Sequence, residues 1–222
     1  MVFQNFKDPY SFCEALMYDF LIASAVASFI DDVQARFVER IPARAKVLDV
    51  GCGGGQNASN LLNLHSAIHL TGLDLSFNQI KRARKRLQKF KMRNFCVQGS
   101  ALNLPFEAAG FDVVYSIASL KHWPHQDQGL KECHRVLRPG GFLLIIEADR
   151  ACSLPDTQRF VERWNIPFFL RPLAVLFFRA YVAGQSLDLL EARTLWGNLA
   201  FQEAEVEKLP NTPALIMFGE KM

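Results

Sequence analysis

The chain has 222 residues, half of them hydrophobic and 21% charged, which suits one globular domain with a real core and excludes a disordered chain. Its net charge of +3 is too small to imply a nucleic-acid partner. Five cysteines form an odd set without metal-type spacing, which excludes a disulfide framework and a zinc site and points to a reducing, cytoplasmic setting.

In chain order, MVFQNFKDPY brings acid and proline too early for a secretory signal, and residues 1–45 read as one or two helices leading into the first strand. Lys46–Val50 is a short β-branched run stopped by Gly51. Asn57–Leu64 sets Ala58, Leu61 and Leu62 on one helical face. His69–Leu73 is a second strand. Ser76 then caps a helix over Phe77–Phe90, where Ile80, Ala83 and Leu87 recur at helical spacing. The basic run KRARKRLQKFKMR (81–93) reads as the solvated face of that helix. Asn94–Val97 and Phe111–Ile117 are the next strands, and Gly129–Leu137 is helical until Arg138-Pro139-Gly140-Gly141 breaks it. Phe142–Ile146 is a continuous apolar run, as a strand covered on both faces requires. Pro172–Gly184 is apolar but interrupted by Arg179 and shorter than the roughly 20 residues of a membrane span. Ser186–Leu199 is helical. Glu203–Leu209 and Ala214–Gly219 are joined by four residues, too few for a crossover helix, so they form an antiparallel hairpin.

Repeated strand–helix–strand units imply an α/β fold with a mostly parallel sheet of seven strands, helices on both faces and that terminal hairpin. One domain is expected: N-terminal helices (1–45), a ligand-binding core (46–150), an aromatic-rich helical cap (151–184), then the last helix and hairpin (185–222).

Ligands of such sheets sit beyond the carboxyl ends of the strands. Four glycines in VLDVGCGGGQN lie at the first such end, where glycine permits close approach to the main chain. The loop alone is ambiguous. Gly53, Gly55 and Ala58 satisfy a loose dinucleotide pattern, with Asp74 about twenty residues on as a ribose-binding acid. Asp49 tips the balance, because a carboxylate there repels a pyrophosphate and attracts a ligand carrying an ammonium or sulfonium.

With these residues in view, the chain resembles the class I S-adenosylmethionine (SAM) dependent methyltransferases, in particular the ubiquinone/menaquinone and small-molecule branch. VLDVGCGGG is similar to that family's D-x-G-x-G-x-G cofactor loop, which implies cofactor contacts at Asp49, Gly51, Gly53 and Gly55. GLDLS resembles the second-strand acid, implying that Asp74 binds the ribose hydroxyls with Leu75 beside the adenine. QGSALNLPF resembles the third-strand segment. Ser100 stands where an Asp is common, which shifts the adenine contact toward the backbone of Ala101 and Leu102. FDVVYSIASLKHW resembles the fourth-strand segment lining the site, implicating Ser116 and Ile117, and HRVLRPGGFLLI resembles the stretch into the fifth strand. The resemblance covers Lys46–Glu147 in register and implies a seven-stranded Rossmann-like fold, SAM as cofactor and methyl transfer by in-line displacement.

His122 is the candidate base, or a contact to cofactor or substrate, the alternative being a residue that closes the pocket. The family often has two adjacent histidines there, where this chain reads Lys121-His122. His125 sits at a helix start, as a cap or in solvent, and no metal is expected. The cap aromatics either shape a pocket for an apolar or aromatic small molecule or glue a lid to the sheet. A peripheral membrane contact by Phe168–Tyr181, with Arg171 and Arg179 toward head groups, is a further reading. The rival functions are RNA or protein methylation and a non-catalytic SAM-binding regulatory module.

Overall fold

The computed structural model describes residues 37–90 and 95–222, with Val26 and Val33 ahead of them. Most of the helices expected over 1–45 therefore lie outside the described residues, as does the end of the basic run. A 3-10 turn at Val38–Arg40 leads into β1 (Lys46–Val50). There follow α1 (Gln56–Leu64), β2 (His69–Asp74), α2 (Phe77–Leu87), β3 (Phe95–Gln98), β4 (Phe111–Ile117) and α3 (Gln126–Val136). Beyond these lie β5 (Leu137–Ala148), α4 (Leu154–Glu162), α5 (Arg171–Phe177), a π-helical turn at Phe178–Ala183, α6 (Leu189–Gly197), β6 (Phe201–Lys208) and β7 (Ala214–Lys221).

The strands form one sheet in the order β3-β2-β1-β4-β5-β7-β6. β1 to β5 pair in parallel, whereas β7 is antiparallel to both β5 and β6. The terminal hairpin read from its short connection is thus present. Strand order reverses between β1 and β4, which opens a crevice at their carboxyl ends.

Because side chains alternate along a strand, each face buries its own core. Val47, Leu70, Tyr115 and Leu144 face one cluster, covered by α1, α2, α4 and α5. Leu48, Val50, Val114 and Leu143 face the other, covered by α3 and α6. The Arg138-Pro139-Gly140-Gly141 turn is not outside the fifth strand but inside it. Phe111 pairs with Leu137 and Val113 with Phe142, so the turn residues loop out as a bulge, with Gly140 at φ 69°. β5 therefore starts at Leu137, ahead of the apolar run that begins at Phe142.

Candidate active site

The loop after β1 divides its glycines among three tasks. Gly51, at φ 78°, lies so close to Ser119 that a Cβ would fall 1.9 Å from its Oγ. Gly53, at φ 51°, faces open space, and its N–H donates to Asp74 Oδ2 at 2.8 Å. Gly55, at φ 77°, precedes α1 and lets that helix pack on Ala83. Gly51, Gly53 and Gly54 meet the crevice, and Gly55 does not. A side chain in this left-handed region is strained, so the loop's shape depends on glycine.

Asp74, the last residue of β2, also accepts from the Ser76 N–H through Oδ1 at 2.9 Å. Each carboxylate oxygen has more than one acceptor site, so the group is fixed in place and can still take hydroxyls from a ligand. Ser76 in turn caps α2, as expected.

At the end of β4, Ala118 takes φ 56°, a costly conformation for a residue with a Cβ. Its N–H is held by Ile146 O, and the chain turns into a 3-10 segment at Leu120–His122. This turn places Lys121 and His122 at the crevice. Lys121 Nζ donates to Glu147 Oε1 at 2.9 Å and to Ala118 O at 3.1 Å. Glu147 is fully buried and also accepts from the N–H groups of Lys121 and Ala148. His122 opens to solvent while protein crowds the rest of its ring. That crowding, and then the Lys121 charge, hold its pKa below the usual 6.5 against the pull of Glu147. At neutral pH it is an uncharged base.

These elements enclose a cavity of about 540 Å³. Of the residues singled out from sequence, Gly51, Gly53, Asp74, Leu75, Ser100, Ala101, Leu102, Ile117 and His122 line it. Asp49, Gly55 and Ser116 do not. Side chains alternate between the two faces of β1, so Asp49 shares the face of Val47 rather than that of Leu48 and points into an apolar layer. There Tyr115 Oη donates to its Oδ2 at 2.9 Å. Burial, with a smaller push from Asp74, lifts its pKa from 3.8 to about 7 despite the tyrosine hydrogen bond. Ser116 is buried among neighbouring strands with its hydroxyl unpartnered. Ser100 Oγ accepts from the Leu102 N–H at 3.2 Å, and Leu102 O accepts from Gln128 at 2.8 Å. Both backbone groups of Leu102 are thus already engaged. His125 occupies the N-cap of α3 without a side-chain cap bond.

Sequence reasoning missed Gln79, Ser119, Lys121 and Glu147. Glu147 lies in a strand end that reads as apolar, and only the parallel register of β4 and β5 brings it to Lys121. The cap supplies the opposite wall through Phe160, Phe177, Phe178 and Tyr181.

A polar ligand fits the loop side. Asn57 Oδ1 and Gln79 Oε1 are buried beside the cavity with no hydrogen-bond partner, and Asp74 stands at its wall. No cluster suited to a metal ion exists among the described residues.

Residues 48–145 match the family described as Methyltransferase domain. That segment, a little under half of the chain, is similar to the class I SAM-dependent methyltransferases. An O-methyltransferase of Aspergillus nomiae is 37% identical over 128 residues, 55% of this chain and 56% of that one. A fatty-acid O-methyltransferase of Mycolicibacterium smegmatis is 39% identical over 114 residues, 51% of this chain and 41% of that one. The chain spans about half the length of these curated relatives. A SAM-dependent methyltransferase of Aquifex aeolicus superposes with a TM-score of 0.66, covering 88% of this chain and 93% of that one. At 13% identity, that likeness shows the methyltransferase fold alone. SAM is the cofactor of this family.

Proposed function

We propose that this protein transfers a methyl group from SAM to an oxygen of a small apolar or aromatic acceptor. The observation that carries the reading is the two-sided cavity, with a glycine loop and Asp74 on one wall and four cap aromatics on the other. Relatives named as O-methyltransferases, one of them acting on fatty acids, support it.

When bound, SAM supplies a methyl group already activated on a sulfonium, so the protein's work is orientation and exclusion of water. Asp74 would accept the ribose hydroxyls, and Asn57 Oδ1 and Gln79 Oε1 offer two further acceptors for the cofactor's polar groups. The cap aromatics hold the acceptor by apolar contact and keep water from it. His122, uncharged at neutral pH, accepts the acceptor's hydroxyl proton on an unprotonated ring nitrogen. Lys121 Nζ uses two of its three donors within the protein, and the third favours a negatively charged oxygen in the cavity.

Calorimetry with SAM, its demethylated product and NAD, followed by label transfer to phenols, hydroquinones and fatty acids, tests the reading. Binding of SAM with turnover on at least one of these acceptors is expected. Binding of NAD in place of SAM would defeat it. SAM binding without turnover on any of them favours a regulatory module.

A further inference from the structure

The cap carries an apolar surface that the cavity does not use up. In α5 and the segment before it, Phe168, Phe169, Leu173 and Leu176 are each about two-thirds or more exposed. Phe169, Leu173 and Leu176 recur at spacings of four and three, so they share one helix face, while Val175 and Phe178 on the other side are buried. A helix apolar on both faces belongs in an apolar environment, and a cluster of exposed large side chains marks an interaction site.

The surface is continuous with the cavity. Phe177 and Tyr181, stacked with ring centroids 5.5 Å apart, are exposed on the cap and also line the cavity wall. From Arg163 to Gly184 the only charged residues are Arg163, Arg171 and Arg179, without one acid, so the charge that this segment itself carries is of one sign. Exposed apolar side chains flanked by arginines fit the boundary of an anionic bilayer, where the apolar groups enter the acyl region and the guanidinium groups meet phosphates.

We propose that the cap docks on an anionic lipid surface and opens the cavity toward it, so that an apolar acceptor enters from the bilayer. Docking needs neither cofactor nor acceptor, and it stands or falls apart from the methyl-transfer reading.

The test is co-sedimentation of the full chain, without SAM, with vesicles of phosphatidylcholine alone and of phosphatidylcholine mixed with phosphatidylglycerol. Binding to the mixed vesicles is expected to exceed binding to the neutral ones. Leu173→Ser/Leu176→Ser should weaken binding more than about tenfold, the least that two exposed leucines leaving an apolar phase cost. Arg179→Gln should weaken binding to the mixed vesicles about fivefold and leave the neutral ones unaffected. All three positions are exposed, so the melting temperature of each variant should match that of the parent. No vesicle binding, or binding indifferent to the leucine variant, overturns the proposal. So does a dimer by light scattering that the leucine variant dissociates while vesicles remain unbound, which assigns the face to a second copy.

Discussion

Replacing Lys121 by methionine tests both the packing and the electrostatics of the site. The lysine side chain is only 6% exposed and its partner Glu147 not at all, so the substitution leaves a carboxylate inside the protein without its counter-charge. Breaking a buried ion pair by removing one partner typically costs about 3–5 kcal/mol. Two backbone donors, the N–H groups of residues 121 and 148, still reach the carboxylate at 3.1 and 2.8 Å, which favours the lower end of that range. About 3 kcal/mol in a chain of this length lowers the melting temperature by about 6–12 °C. Lys121→Met/Glu147→Gln, which removes both charges, should recover most of that loss. The second readout is His122, whose pKa is lowered by burial and by Lys121 and raised by Glu147. In the single variant the lysine's effect is gone while the glutamate's remains, so an NMR titration of the His122 ring should move up toward 6.5, with burial, the largest effect, still holding it below that value. In the double variant only burial acts, and the pKa should stay low. A single variant that melts within about 2 °C of the parent, or a His122 titration alike in both variants, refutes this account of the pair.

Asp74→Ala should weaken SAM by about 1–3 kcal/mol in calorimetry, since ligand hydroxyls would lose a charged acceptor, and unchanged affinity would rule out the ribose assignment. His122→Ala should lower turnover much more than SAM affinity, and the parent's activity should persist below pH 6.5 before failing as the ring protonates. Equal loss of turnover and affinity would make His122 a binding residue. For Asp49, the folded protein holds a proton between pH 3.8 and about 7 that the unfolded chain has released, so this group's contribution to stability falls as pH rises through that window. The full shift is worth about 4 kcal/mol at alkaline pH. Asp49→Asn keeps an acceptor for Tyr115 but buries an amide NH2, so denaturation should find it more stable than the parent above about pH 7.5 and less stable near about pH 5. A difference that does not change with pH would show that folding does not shift the Asp49 pKa.

How much of this is legible in the sequence depends on how local the cause is. β1 and β4 begin and end where the sequence reading places them, because a parallel strand buried on both faces is mostly apolar. The early start of β5 is hidden because a proline–glycine turn normally ends pairing, and here it is absorbed as a bulge whose size is set by the neighbouring strand. The basic run over α2 is partly structural. Arg84 donates to Cys96 O at 2.9 Å and Arg86 to Gly54 O, which ties the glycine loop to the helix behind it. Nothing in a run of basic residues distinguishes these two from their solvated neighbours, since the acceptors are backbone carbonyls outside the run. The cap aromatics divide between internal packing and the cavity wall. Trp164 is buried against Phe160 and Phe178, whereas Phe177 and Tyr181 face the cavity and solvent.

Asp49 is the residue whose meaning changes most. Its charge points to a cationic ligand only if a strand-end carboxylate faces the crevice. Strand alternation instead sends it into the apolar layer beside Tyr115, where burial opposes the very charge that such a ligand would need. The two readings meet through linkage. A cation settling in the loop above Asp49 would favour its ionised form, so ligand binding near neutral pH would release a proton and affinity would rise with pH. A carboxyl held near 7 beneath the loop would in that way link the binding of a cationic ligand to pH, which residue type and position alone do not reveal.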